Sequence, residues 1–283
     1  MWRLRVFTGK GRAAMHLALI GYGNIAQSLL SLMAEPGAPR PDRITVLARR
    51  GRSDAARAAL AGPVPFDVVD EVAGLVNQRP DFAVECAGHD AVATGAVPLL
   101  RAGVDCIVVS VGALADQALE TEVHAAAKAG AARVILPAGA VGGVDLLAAL
   151  ALGEDVSVTY RGIKPPRAWR GTAAEAATDL DVLDAPKAFF TGSAREAAKA
   201  YPKNANVAAT LALAGGGFEG TKVSLIADPS APGNVHSYEI RSEAARVEMR
   251  IENLPSPGNP KTSVSTIYSI LREIRNRLGP IAI

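Results

Sequence analysis

Three small residues, Gly21, Gly23 and Ala26, follow directly on the apolar run His16–Ile20. Ile25, Leu29, Leu30 and Met33 then recur at helical spacing. A Gly-x-Gly-x-x-Ala turn between a strand and a helix can hold a dinucleotide. The first glycine permits a tight turn. The second lets the backbone approach a pyrophosphate, and the small third residue lets helix and strand pack closely. The helix N-terminus, at Asn24 and Ile25, then faces the phosphates. The motif is common by chance, and its place at the head of a βαβ run is the context that gives it meaning. The plain alternative is a glycine-rich turn without a ligand.

The tip of the second strand reads Leu47-Ala48-Arg49-Arg50, with no acid there and Asp42 ahead of the strand. An acid at this tip bonds ribose hydroxyls, whereas arginines suit a 2′-phosphate. Arg49 and Arg50 therefore predict NADP, or use of both NAD and NADP, against the alternative of a solvated basic loop. Three later loops, Glu85–His89, Ser110–Asp116 and Pro137–Gly143, each follow a strand. Their small residues, among them Ala87, Gly88 and Gly112, let a backbone approach a flat ring. They are expected to line one nicotinamide pocket.

Of four histidines, His16 opens a buried strand and His124 lies on an alanine-rich helix, so both read as structural or solvated. His89 stands at a strand end, where lining the cofactor site and a plain turn weigh equally. His236 shares a strand face with Tyr238 and Ile240; on spacing alone it is a satisfied sheet histidine. Lys203, Asn204 and Asn206 precede an apolar helix, with Asn206 placed to cap it. Lys261 and Thr262 precede the last helix in the same way. Both groups can instead offer ammonium, amide and hydroxyl donors to an anionic substrate.

The elements that must position these residues follow from periodicity. Strands at His16–Ile20, Ile44–Leu47, Phe82–Cys86, Cys106–Val109 and Arg133–Leu136 alternate with helical patterns, which predicts a parallel sheet covered on both faces. After Gly139 the texture becomes α+β. Alternating stretches at Thr221–Ala227, Val235–Arg241 and Arg246–Ile251 predict an antiparallel meander. A final helix carries Val264, Ile267, Ile270, Leu271, Ile274 and Leu278 on one stripe, and is expected to return to the first domain. The domain reading is thus 1–14 as an N-terminal extension without fixed structure, 15–139 with 262–283 as the dinucleotide domain, and 140–261 as a second, α+β domain, which the resemblance given below makes the substrate and dimerisation domain.

Composition sets the outer limits. With 283 residues, 49% apolar and a formal charge of +2, the chain suits about two folded domains and not disorder. So balanced a charge argues against nucleic acid as the main partner. No apolar run approaches the ~20 residues of a membrane span. Cys86 and Cys106 sit in strand patterns and read as buried free thiols of a reducing cytoplasm, without spacing to histidine that would make a metal site. Arg3, Arg5, Lys10 and Arg12 supply four unopposed positives ahead of Met15, so the remainder is slightly acidic.

Taken in order, Gly21–Ala26, Ser110–Asp116, Pro137–Asp145, Tyr201–Thr210, Asn234–His236 and Asn259–Ser263 resemble the L-aspartate dehydrogenase family from Met15 to near the C-terminus. The resemblance implies a Rossmann domain plus an α+β domain like those of dihydrodipicolinate reductase and homoserine dehydrogenase. It implies reversible, NAD- or NADP-dependent deamination of L-aspartate to iminoaspartate, which yields oxaloacetate and ammonia and also feeds NAD biosynthesis. It places the catalytic histidine at His236 and cofactor contacts at Ala140 and Asn206. It further implies a cytoplasmic homodimer, and Met15 as the equivalent start. A histidine titrating near neutrality would suit the proton transfer. Lys164, Lys203 and Lys261 become candidates for the substrate carboxylates. The rival readings are another dehydrogenase or reductase of the homoserine or dihydrodipicolinate type, and a non-catalytic NADP-binding sensor.

Overall fold

The structure is a computed structural model that describes residues 14–256, 259–279 and 281–283. The extension read at 1–14 therefore lies, but for Ala14, outside the described residues, as do the side chains of Lys203, Lys261 and Thr262. The chain forms two units. One comprises the residues up to Ser110, Ala118–Pro137 and Ile267–Ile283; the other comprises Val111–Gln117 and Ala138–Thr266.

The first unit is built on a six-stranded sheet. Its strands are β1 (His16–Ile20), β2 (Arg43–Leu47), β3 (Phe66–Val69), β4 (Phe82–Glu85), β5 (Asp105–Val108) and β6 (Val134–Ile135). The order is β3-β2-β1-β4-β5-β6 and every pairing is parallel. Helices cover a parallel sheet on both faces, so its central strands are continuous apolar runs; all of β1 and β4 is buried. The helix Asn24–Ala34 buries Ala26, Leu29, Leu30 and Met33 against this sheet. The C-terminal helix Val264–Leu278 adds Ile267, Ile270 and Ile274 to the same core. Both cysteines are buried free thiols here; burial raises both, Cys106 to about 12.

The second unit holds β7 (Ser157–Lys164), β8 (Lys187–Ser193), β9 (Lys222–Ala227), β10 (Asn234–Arg241) and β11 (Arg246–Asn253). Their order is β11-β10-β7-β9-β8. This corrects the meander: only β10 and β11 form the hairpin, and β7 separates β10 from β9, which it pairs in parallel. Alternation fixes which face a residue takes, but not which strand lies beside it. One face of β7 carries Val158, Tyr160, Gly162 and Lys164, all buried. The register sets His236 opposite Gly162 and Tyr238 opposite Tyr160, so these side chains share that face. Pro255–Ser256 and Asn259–Ser263 make a small separate sheet where the sequence shows only breakers.

Candidate active site

In the first unit, the carboxyl ends of β1, β4 and β5 bring the glycine turn, Ala87-Gly88 and Ser110 to one edge of the sheet. Gly21 has φ +99°, and a Cβ there would lie 2.8 Å from the Cβ of Ala87, so the fold itself requires glycine. Gly23 differs. Its φ of −72° suits any residue, and a Cβ would meet nothing within 4 Å. The protein does not need that space. No side chain caps the helix Asn24–Ala34, which begins at this point. Amides without a cap beside an open position are what a pyrophosphate requires, so the turn fits a dinucleotide.

Sequence reasoning missed Glu85 as an organiser of this edge. It is fully buried. Its carboxylate accepts from the amides of Ala87 (2.8 Å), Gly88 (2.9 Å) and Ser110 (3.0 Å) and from the Ser110 hydroxyl (3.0 Å). Four donors offset the cost of burying the charge, and they hold the loops after β4 and β5 in one shape. The only signal in the sequence is an acid ending an apolar strand.

At the tip of β2, Arg50 pairs with Glu71 at 2.8 Å, and the Gly51 amide donates to Asp70. The acids missing from the β2 tip thus arrive from the segment after β3. Arg50 and Glu71 are both mostly exposed, so the pair is weak and can open to a phosphate. Arg49 is exposed.

Within the second unit, Asn206 is the first residue of the helix Asn206–Leu211, and no side chain caps that helix. Its side-chain oxygen instead accepts from the Gly112 amide at 2.9 Å. Two predicted cofactor positions are thereby joined, and the capping role is replaced. The Ala140 carbonyl accepts from Asn253 Nδ2 at 2.8 Å. Lys164 is buried, and its ammonium donates to Asn204 Oδ1 at 2.6 Å and lies 5.0 Å over the Trp169 ring. His236 is 6% exposed, and its Nδ1 shares a hydrogen bond of 2.8 Å with the Tyr160 hydroxyl. His16 is bonded to Thr45 at 2.8 Å in the first unit, a structural role. His124 is exposed, and His89 opens a short helix.

Burial, and then the positive charge of Lys164, push His236 down to about 3 from 6.5. This corrects the expectation of a near-neutral histidine: the imidazole is uncharged across the physiological range. A stability consequence follows. Above about pH 6.5 neither folded nor unfolded His236 is protonated. As the pH falls toward 3 the unfolded chain takes up a proton that the folded chain refuses. Stability is then lost by up to about 1.4 kcal/mol per pH unit, and His16, also lowered by burial, acts in the same direction. Urea unfolding between about pH 7 and about pH 4 should show this slope, flattened in His236→Gln; an unchanged slope would refute the shift.

A doubly wound parallel sheet with a pyrophosphate turn after β1, joined to a mixed sheet bearing a buried neutral histidine, defines a nicotinamide-dependent dehydrogenase. Two family models match: the NAD-binding domain of homoserine dehydrogenase over residues 21–137, and the C-terminal domain of aspartate dehydrogenase over 145–277. The chain is 45% identical to an L-aspartate dehydrogenase of Ruegeria pomeroyi, covering 98% of this chain and 97% of the relative. It is 44% identical to one of Ralstonia nicotianae, covering 95% and 100%. Among solved structures, aspartate dehydrogenase from Thermotoga maritima superposes with a TM-score of 0.73 at 30% identity, covering 95% of this chain and 99% of that one. The chain belongs to the L-aspartate dehydrogenase family.

Proposed function

We propose that this protein catalyses the reversible NAD(P)-dependent oxidative deamination of L-aspartate to iminoaspartate, which hydrolyses to oxaloacetate and ammonia. The observation that carries this reading is the shared sheet face of β7 and β10. It sets an uncharged imidazole at His236 beside a buried ammonium at Lys164, in a chain so close to L-aspartate dehydrogenases. One group can exchange a proton with an amine, and the other can hold a carboxylate.

Bound NAD(P) supplies the hydride acceptor. Gly21, Gly23 and the amides of Asn24, Ile25 and Ala26 would hold its pyrophosphate, and Arg49 and Arg50 a 2′-phosphate. Ala87 and Gly88 of the first unit are taken as further cofactor contacts, as are Gly112, Ala140 and Asn206 of the second. Lys164 and Asn204, with Lys203, Lys261 and Thr262, bind the two carboxylates of the substrate. His236 accepts a proton from the α-amine at Nε2, since Nδ1 is engaged by Tyr160, and returns it in the reverse direction. The two carboxylates of the substrate offset the Lys164 charge that depresses His236, and so raise its affinity for that proton on binding. We take the enzyme to be a cytoplasmic homodimer, with light scattering as the check on the second term. No helix among the described residues is long and apolar enough to cross a membrane.

The test is a spectrophotometric screen of amino acids with NAD and NADP. L-aspartate should reduce both cofactors, and oxaloacetate plus ammonia should oxidise the reduced forms; turnover of homoserine instead would overturn the reading. Replacing Arg49 and Arg50 with alanine should raise KM for NADP about tenfold and leave KM for NAD within about twofold. Equal effects on both cofactors would show that the arginines do not meet the 2′-phosphate.

A further inference from the structure

We propose that Tyr160 is the positioning residue for His236, and that Gly162 exists to let it reach. This deepens the reading of His236 given above and rests on it. Tyr160 and Gly162 lie two residues apart on the same buried face of β7. Gly162 stands directly opposite His236 on β10 and opposite Leu225 on β9. A Cβ added at Gly162 would lie 2.8 Å from the Tyr160 hydroxyl oxygen and 3.3 Å from its Cζ, with Leu225 Cδ2 at 3.2 Å. The phenol therefore leans along its own strand and rests in the space that any other residue at 162 would fill. From there its hydroxyl reaches the neighbouring strand and meets His236 Nδ1 at 2.8 Å.

The rings lie near parallel, 22° apart, with centroids 6.0 Å apart, so the contact is made through the hydroxyl and not by face-to-face stacking. Tyr160 is 1% exposed, and burial holds its hydroxyl well above the ordinary phenol range, so it stays protonated throughout the working pH. A buried hydroxyl engaged with one ring nitrogen fixes the ring's rotation, and Nε2 is the base in the tautomer whose Nδ1–H donates to the Tyr160 oxygen. Nδ1 is thereby committed to the protein, and Nε2 is the nitrogen presented to the substrate. Among the described residues neither has a carboxylate partner, so this pair orients the imidazole without charging it. That matches a base that must begin neutral.

Two variants test the assignment from opposite sides. Tyr160→Phe keeps the ring and removes the hydroxyl; Gly162→Ala keeps the hydroxyl and displaces the ring. Both should lower kcat about tenfold or more, with KM for aspartate and NAD(P) within about threefold. Nitrogen NMR of isotope-labelled histidine supplies a readout that packing alone does not move. In the native protein the two ring nitrogens of His236, assigned by their loss in His236→Ala, should give one protonated and one unprotonated signal. In both variants the two signals should converge as the tautomers average. Native kcat with separate, unmoved signals in Tyr160→Phe would overturn the assignment while leaving His236 itself intact. Full turnover in His236→Ala would instead overturn the reading on which it rests.

Discussion

Replacing His236 with alanine is expected to lower kcat for L-aspartate by about three orders of magnitude, within the range general acid–base groups contribute, while the Kd for NAD(P)H stays within about twofold. The split follows from where each function is built. The pyrophosphate turn, with Gly21 held against Ala87, belongs to the first unit. His236 belongs to β10 of the second. Its side chain is the only imidazole on the buried face that also carries Lys164, and no other described residue there can take up a proton while remaining neutral at rest. Steady-state rates and a fluorescence titration of reduced cofactor measure the two quantities separately. Turnover within tenfold of native would remove His236 from the proton transfer.

The second large effect concerns two glycines that look alike in sequence and differ in what requires them. Gly21→Val should abolish cofactor binding. It forces a branched residue to φ +99° and drives its Cβ against Ala87, whose Cα and amide nitrogen lie 3.1 and 3.3 Å from that point and cannot move aside as a flexible side chain would. Gly23→Ala is the more informative change. Its backbone is ordinary and the added methyl meets nothing, so thermal stability should stay within about 0.5 kcal/mol of native. Yet the Kd for NAD(P)H should rise about tenfold or more, because the methyl stands where a phosphate approaches. A Gly23→Ala protein that binds cofactor normally would place the pyrophosphate elsewhere.

How much of this was legible beforehand depends on the range of each interaction. The turn at Gly21–Ala26 was readable because strand, turn and helix are consecutive and each announces itself locally. β3 was not. Phe66–Val69 is an edge strand, half-buried, interrupted by Asp67 and preceded by Pro63 and Pro65, so it carries no apolar run. β7 extends through Gly162 to Lys164 because it is held on both sides, by β9 and β10. The face of His236 was legible from alternation. Its depressed proton affinity was not, since Lys164 and the covering side chains come from other strands. Glu85 and Asn206 make the same point. Ser110, which supplies two of the four donors to Glu85, lies 25 residues from it, and Gly112 lies 94 from Asn206; no local pattern encodes such distances.

The helix that closes the first unit has a bearing on how the chain is made. Ile267, Ile270 and Ile274 complete a core whose sheet is finished by Ile135. During synthesis that sheet therefore waits, with an apolar strip uncovered, while the whole second unit is translated, a delay on the order of ten seconds at cellular elongation rates. Burying three isoleucines is worth several kcal/mol, roughly 1.5–3 for each, about as much as a small domain's net stability. The nascent cofactor-binding half should accordingly be a client for holdase chaperones until release. A gene truncated before residue 267 should yield aggregated protein, not a free-standing nucleotide-binding fragment.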